Sequence, residues 1–225
     1  GRAFEEAAQP YVWAASAREG FVEAARAMRR RVEDNISRSH ASRELKLGRG
    51  GLRDVEFTVQ LLQLVHGRTD AFLRVRSTLE AIEALREGGY IARSDADQLA
   101  SCYRFLRAVE HRTQLPRMRR NHLIPDKDRD LRVLGRAMDP ARFPDADAIR
   151  TAIDEVRASV RALHEDVFYR PIIAATASLR EDEVSLHAEG ARDRLAAIGY
   201  RDPAGALTHI AALTQGTSRR AAIQR

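Results

Sequence analysis

The stretch that decides the fold is Glu44–Gln63, ELKLGRGGLRDVEFTVQLLQ, in which a turn carrying Gly48, Gly50 and Gly51 runs directly into an apolar helix. Stepped at about 100° per residue, Leu52, Val55, Val59 and Leu62 form one apolar arc, and Phe57, Leu61, Leu64 and Val65 form a second on nearly the opposite side. A helix with two apolar faces is packed on both, within its own domain or against a neighbour. Between the arcs lies a polar stripe of Arg53, Glu56, Gln60 and Gln63, which is either an internal hydrogen-bond network or the lining of a site. The glycines permit positive φ and a close backbone approach, and a helix starting near Leu52 aims its free N–H groups back into the turn. Such a place suits an anion.

Outward from this stretch the pattern remains helical. Residues 3–14 read as a helix kinked by Pro10. Residues 19–36 form a clearer one, with Phe21, Ala25, Met28, Val32 and Ile36 on one side and Arg26, Arg29 and Arg30 exposed. Leu45 to Leu47 are briefly extended. A short helix from Thr78 to Glu87 closes at Gly88 and Gly89. The next helix runs from Asp95 to about Asn121 and bends at Pro116; Glu110 falls in the middle of its apolar face of Leu99, Cys102, Tyr103, Leu106 and Val109. A carboxylate there needs a cation, and Arg117 or Arg53 are the candidates. Leu131 to Met138 and Ala146 to Tyr169 complete a bundle. No strand alternation of any length occurs, so the expected fold is all-α. A composition shift at residues 174–182 divides a bundle domain, 1–175, from a smaller helical piece, 176–225, with helices at 187–198, 203–214 and 218–224.

The chain has 225 residues, and 38 basic against 32 acidic side chains give it a net charge of +6 and a pI near 10. This would permit a polyanionic partner. Acids are interspersed with the arginines, however, and the basic cluster Arg112, Arg117, Arg119, Arg120 and His122 has no aromatic residues between its members on which bases could stack. A nucleic-acid partner is therefore not expected. One cysteine, Cys102, excludes a disulfide framework within the chain and fits a reducing, cytoplasmic setting. No apolar run approaches the length of a membrane span. A first residue that is glycine and a last residue inside a helical pattern read as a fragment of a longer protein.

Several apparent sites fail on spacing. Asp126, Asp128 and Asp130 begin like a calcium loop, but Leu131 stands where glycine is needed and Ala137 where the closing carboxylate belongs. His164 and Glu165 begin a zinc-protease helix in which Phe168 replaces the second histidine. The pairs Asp95/Asp97 and Asp145/Asp147 sit at helix starts, where acids cap and complement the dipole. The glycine turn is neither GxxxxGK[ST] nor a dinucleotide fingerprint following a strand. It remains an anion-site candidate.

Lys46-Leu47-Gly48-Arg49-Gly50-Gly51-Leu52-Arg53-Asp54-Val55-Glu56-Phe57, followed by Gln60, resembles the motif that follows the nucleotidyltransferase domain in bifunctional glutamine synthetase adenylyltransferase/adenylyl-removing enzymes. Tyr103-Arg104-Phe105-Leu106-Arg107 with Glu110-His111-Arg112, then Arg119-Arg120 and His122, is similar to the next marker of that family; a weaker likeness is to the PII uridylyltransferases. The resemblance implies a two-headed enzyme that transfers AMP from ATP to a tyrosine of glutamine synthetase and removes it by phosphorolysis, releasing ADP. It implies partners in glutamine synthetase, the PII signalling protein and the nucleotidyltransferase domains of the same chain. Mg²⁺ and ATP or ADP would belong to the intact enzyme, held by a catalytic Asp-x-Asp strand that this sequence lacks. Within that picture Lys46, Gly48, Arg49, Gly50, Gly51 and Arg53 face nucleotide or phosphate in the adenylyl-removing half, while Asp54, Glu56, Gln60, Glu110 and Arg117 orient them or hold the domain interface. The alternative is a regulatory helical module that binds PII or glutamine synthetase and touches no nucleotide.

Overall fold

The computed structural model describes residues 2–169 except 19, 38, 119 and 120, together with Gly205. The boundary placed at 175/176 and the helices expected beyond it lie outside the described residues. Seven α-helices occur among them: α1 (Arg2–Trp13), α2 (Phe21–Asp34), α3 (Leu52–His66), α4 (Thr78–Glu87), α5 (Arg93–Gln114), α6 (Asp128–Met138) and α7 (Ala146–Tyr169). The only strand-like pairing among the described residues is a single antiparallel bridge, Glu44 with Leu123. The fold is all-α.

Both arcs of α3 are used. Leu52, Val55, Val59 and Leu62 are buried, as are Leu61 and Val65, while Phe57 packs partly buried against the same core. Its neighbours are α4, α5 and α7, and α6 closes the far side against α5 and α7. A helix sandwiched in this way needs little intrinsic propensity, because packing stabilises it. None of the described helices is long and apolar enough to cross a membrane.

Two elements depart from expectation. The first is α5, which stops at Gln114 and not at Asn121. Pro116 has no N–H for the α ladder, so the chain tightens into a 3-10 turn over Leu115–Arg117 and reverses at Met118, whose φ is +48°. The reversal sends residues 122–124 back along residues 43–45: Leu45 N–H donates to His122 O, and Ile124 N–H to Arg43 O, both at 2.8 Å. The brief extension read into Leu45–Leu47 is thus displaced onto Arg43–Leu45.

The second is α2. Arg29, expected in solvent, is only 2% exposed, and Met28, expected in the core, is 46% exposed. The helix is rolled so that arginine enters the interior, because Asp54 of α3 supplies a counter-charge there. Hydrophobic periodicity weighs only apolar area and cannot register such a pair.

Candidate functional site

The glycine turn ties the backbone donors that lead into α3, Gly50 to Asp54, to its own chain. Gly51 N–H donates to Gly48 O at 3.0 Å, Leu52 N–H to Leu45 O at 3.1 Å, Arg53 N–H to Lys46 O at 2.9 Å and Asp54 N–H to Gly51 O at 3.1 Å. Gly50 N–H donates to Asp54 Oδ2 at 2.6 Å, and Glu44 Oε1 accepts from Lys46 N–H and Leu47 N–H. The expectation that α3 offers free N–H groups to an anion is therefore corrected. The loop doubles back far enough for its own carbonyls and carboxylates to satisfy the helix start.

The glycines have a packing cause. Gly50 has φ +69°, and a Cβ there would fall within 3.0 Å of the Arg157 backbone on α7. Arg157 in turn donates to Arg49 O and Ser42 O, clamping α7 over the turn. A Cβ on Gly48 or Gly51 would strike carbonyl oxygens of the same loop.

Beneath the turn lies a sealed ionic network. Asp54 Oδ1 accepts from Arg29 Nε at 2.6 Å and lies 2.5 Å from Nη2, while Arg29 Nη1 reaches Leu47 O at 3.3 Å. Glu33 bridges outward, 3.2 Å from Arg29 and 3.3 Å from Arg49. On the α7 side Thr58 Oγ1 donates to Asp54 O at 2.8 Å and sits 2.7 Å from His164 Nδ1. Since the hydroxyl proton is committed to Asp54 O, the oxygen accepts from Nδ1–H, which assigns the neutral Nδ1–H tautomer. Burial pulls the His164 pKa below its ordinary value, the nearby Arg29 adds to this, and Asp54 opposes it.

A second carboxylate cluster occupies the flank between α3 and α5. Glu110 is buried, and three segments deliver basic side chains to it. Arg107 binds Oε2 from one turn earlier on α5; His122 Nδ1 lies 3.1 Å from Oε1; Lys46 Nζ, from the loop before α3, is 3.9 Å from the same oxygen. Alongside, Arg53 pairs with Glu56 at 3.3 Å, and the Tyr103 hydroxyl makes a long 3.5 Å contact with Glu56. Glu110 is therefore paired with Lys46 and Arg107, with His122 in contact, and not with Arg53. The Arg117 side chain lies outside the described residues.

The residues singled out by sequence divide accordingly. Lys46, Arg53, Glu56 and Glu110 come together on one flank. Arg49 stands apart with Glu33, Gln60 is exposed, and Asp54 orients Arg29 and Gly50 in the interior, not Lys46 or Arg53. Sequence reasoning missed Arg29, Thr58, His164 and Arg107 as partners. The Arg107/Glu110 spacing of three could have flagged the last; His122 arrives only through the reversal at Met118. Gln63, the inner end of the polar stripe, ties α3 to the following loop through Leu73 O and Val75 O. The dismissed acid pairs behave as caps and surface partners: Asp145 accepts from Ala148 N–H, and Asp147 pairs with Arg150. No group of three or more His, Cys, Asp or Glu among the described residues is placed to hold a metal ion.

Fold and flank together define a helical domain that presents a cationic cluster from one side of a buried central helix. Residues 26–168 match the family model described as GlnD PII-uridylyltransferase, which is more than half of the chain, and the chain belongs to that family. Over its whole length it is 53% identical to the bifunctional glutamine synthetase adenylyltransferase/adenylyl-removing enzyme of Streptomyces coelicolor, 51% identical to that of Leifsonia xyli and 43% identical to that of Bifidobacterium longum. The chain spans only 22% to 23% of the length of these relatives.

Proposed function

We propose that this chain is the helical domain that completes the nucleotide and phosphate site of the adenylyl-removing half of such a bifunctional enzyme, acting in the cytoplasm on adenylylated glutamine synthetase. The observation that carries the reading is the flank itself: Lys46 and Arg53 remain about one-third exposed, 28% and 34%, while the carboxylates that orient them are more buried. Cations fixed by carboxylates behind them are preorganised for charge that develops on a phosphoryl group. In phosphorolysis an oxygen of inorganic phosphate attacks the phosphorus of the tyrosine-linked AMP. The P–O bond to tyrosine breaks, and ADP and the free tyrosine result.

The residues of this domain bind and orient. Magnesium would supply further charge neutralisation, and the described residues assemble no carboxylate set for it, so its ligands are assigned to a catalytic domain elsewhere in the polypeptide. Similarity over the whole of this chain to the named adenylyltransferases supports the substrate assignment. In the intact enzyme Lys46→Ala and Arg53→Ala are each expected to lower phosphorolysis by about 10²-fold. Unchanged rates in both variants would end the reading.

One observation favours a second reading, in which the domain is a regulatory module that meets PII or glutamine synthetase without touching nucleotide: the backbone N–H groups from Gly50 to Asp54, which open α3, are satisfied internally. Titration of the intact enzyme with ATP and phosphate separates the two, since only the first reading expects amide shifts at residues 46–56.

A further inference from the structure

The two carboxylate clusters are built with opposite polarity. Around Asp54 both partners are sealed, Arg29 as fully as the acid. Around Glu110 the acid is sealed at 3% exposure, whereas Arg107, His122 and Lys46 are 37%, 31% and 28% exposed. A network that existed only to neutralise a buried carboxylate would need one cation. This one gathers two, Arg107 and Lys46, from separate segments and sets the His122 ring beside them; guanidinium N–H groups of Arg107 and ammonium protons of Lys46 are left uncommitted, and His122, whose Nδ1 is committed to Glu110, offers a donor at Nε2 only when its ring is protonated.

The convergence is also fixed by backbone. The Leu45 N–H to His122 O bond and the neighbouring Glu44–Leu123 bridge hold the segments bearing Lys46 and His122 side by side, and Gln114 secures the return loop through Asn121 O at 3.2 Å. Tyr103, one turn before Arg107, extends the same flank towards Arg53 and Glu56.

We infer that Lys46, Arg107 and His122 form a binding site for a tetrahedral dianion of the phosphate class, with Glu110 as the positioning residue behind it. This rests on the proposed function and deepens it by adding two ligands, Arg107 and His122, that share the Glu110 carboxylate with Lys46. Charge-assisted donors held by a buried acid lose little freedom when an anion arrives, which is why a negative group can sit behind an anion site and still favour it.

The test uses the 225-residue chain, isotopically labelled and titrated with sulfate, a tetrahedral dianion that does not titrate near neutrality, against chloride at matched ionic strength. Saturable shifts at the His122 ring and the Arg107 Nε–H, for sulfate only, are expected. His122→Gln and Arg107→Gln should each weaken sulfate binding about tenfold. Glu110→Gln removes the negative charge and Glu110→Asp retains it on a shorter arm; both should weaken binding if Glu110 positions the ligands, with His122→Gln and the wild type serving as folded references by their amide spectra. Tighter binding in Glu110→Gln would show a mere competing anion and overturn the inference, as would equal shifts at exposed arginines throughout the chain. An AMP arm distinguishes a nucleotide phosphate from free phosphate, since only the nucleotide would also shift residues beyond the cluster. If Lys46→Ala and Arg53→Ala lower phosphorolysis about 10²-fold while sulfate leaves His122 and Arg107 unmoved, the functional reading stands and this site falls; the converse pattern sinks the functional reading alone.

Discussion

Asp54 and Glu110 are both carboxylates on helices that meet at the middle of the bundle, and each draws in basic side chains from distant segments. Asp54 faces inward: its arginine is fully buried, its second oxygen is taken by Gly50 N–H, and its backbone carbonyl is capped by Thr58. Glu110 faces outward and leaves two cations and a histidine partly in water. The difference separates what holds the fold from what is available to a ligand, even though both clusters lie beside the same glycine turn. Motif reading alone merges them, because Asp54 and Arg53 are adjacent in sequence yet lie about 100° apart around α3 and meet different partners.

The largest effect that would sharpen this contrast is expected at Asp54. Asp54→Ala strands Arg29 in the interior and leaves Gly50 N–H without an acceptor. Breaking a buried pair in this way costs about 3–5 kcal/mol. Urea denaturation followed by helix signal should show that loss, and a double variant Asp54→Ala/Arg29→Met should recover part of it by removing the uncompensated charge. A loss below about 1 kcal/mol in the single variant would place Asp54 with the surface pairs.

A smaller effect is expected at the far end of the same network. His164 is buried and neutral, so its folded pKa lies below the ordinary value of about 6.5. The unfolded chain therefore takes up a proton first as pH falls. Stability is fully present above about pH 6.5 and declines as pH drops through that value towards the folded pKa, with a slope of at most about 1.4 kcal/mol per pH unit from this one group. Urea midpoints measured between pH 7.5 and 5.5 should fall for the wild type and fall less for His164→Gln. Equal slopes in both would show that other groups govern the acid limb.

Much of this is legible in the sequence. The double arc of α3 gave a two-sided central helix, and the α4 and α7 boundaries follow from Gly88 and from the run before Pro171. What was hidden is of one physical kind. Arg29 is buried by an acid twenty-five positions away, and His122 reaches Glu110 only because the chain reverses at Met118. Charge pairs of this kind have no periodicity, so neither hydrophobic pattern nor helix propensity could register them. The glycines were read correctly as permitting close approach, but the group that approaches at Gly50 is the α7 backbone at Arg157.

The smallest stability effect is expected on the flank, and its smallness is the point. Lys46 meets Glu110 at 3.9 Å, and Arg53 meets Glu56 across a single helical turn, both with the cation partly solvated. Such pairs contribute about 0–1 kcal/mol, and Glu110 keeps Arg107 and His122 when Lys46 is removed. Lys46→Ala and Arg53→Ala should thus shift the urea midpoint by at most about a fifth of what Asp54→Ala does once that loss reaches its upper range, while still lowering phosphorolysis about 10²-fold in the intact enzyme. If either variant instead unfolds the bundle, the outward cluster is a second structural clasp, and the division between an inner network that builds the domain and an outer one that serves a ligand disappears.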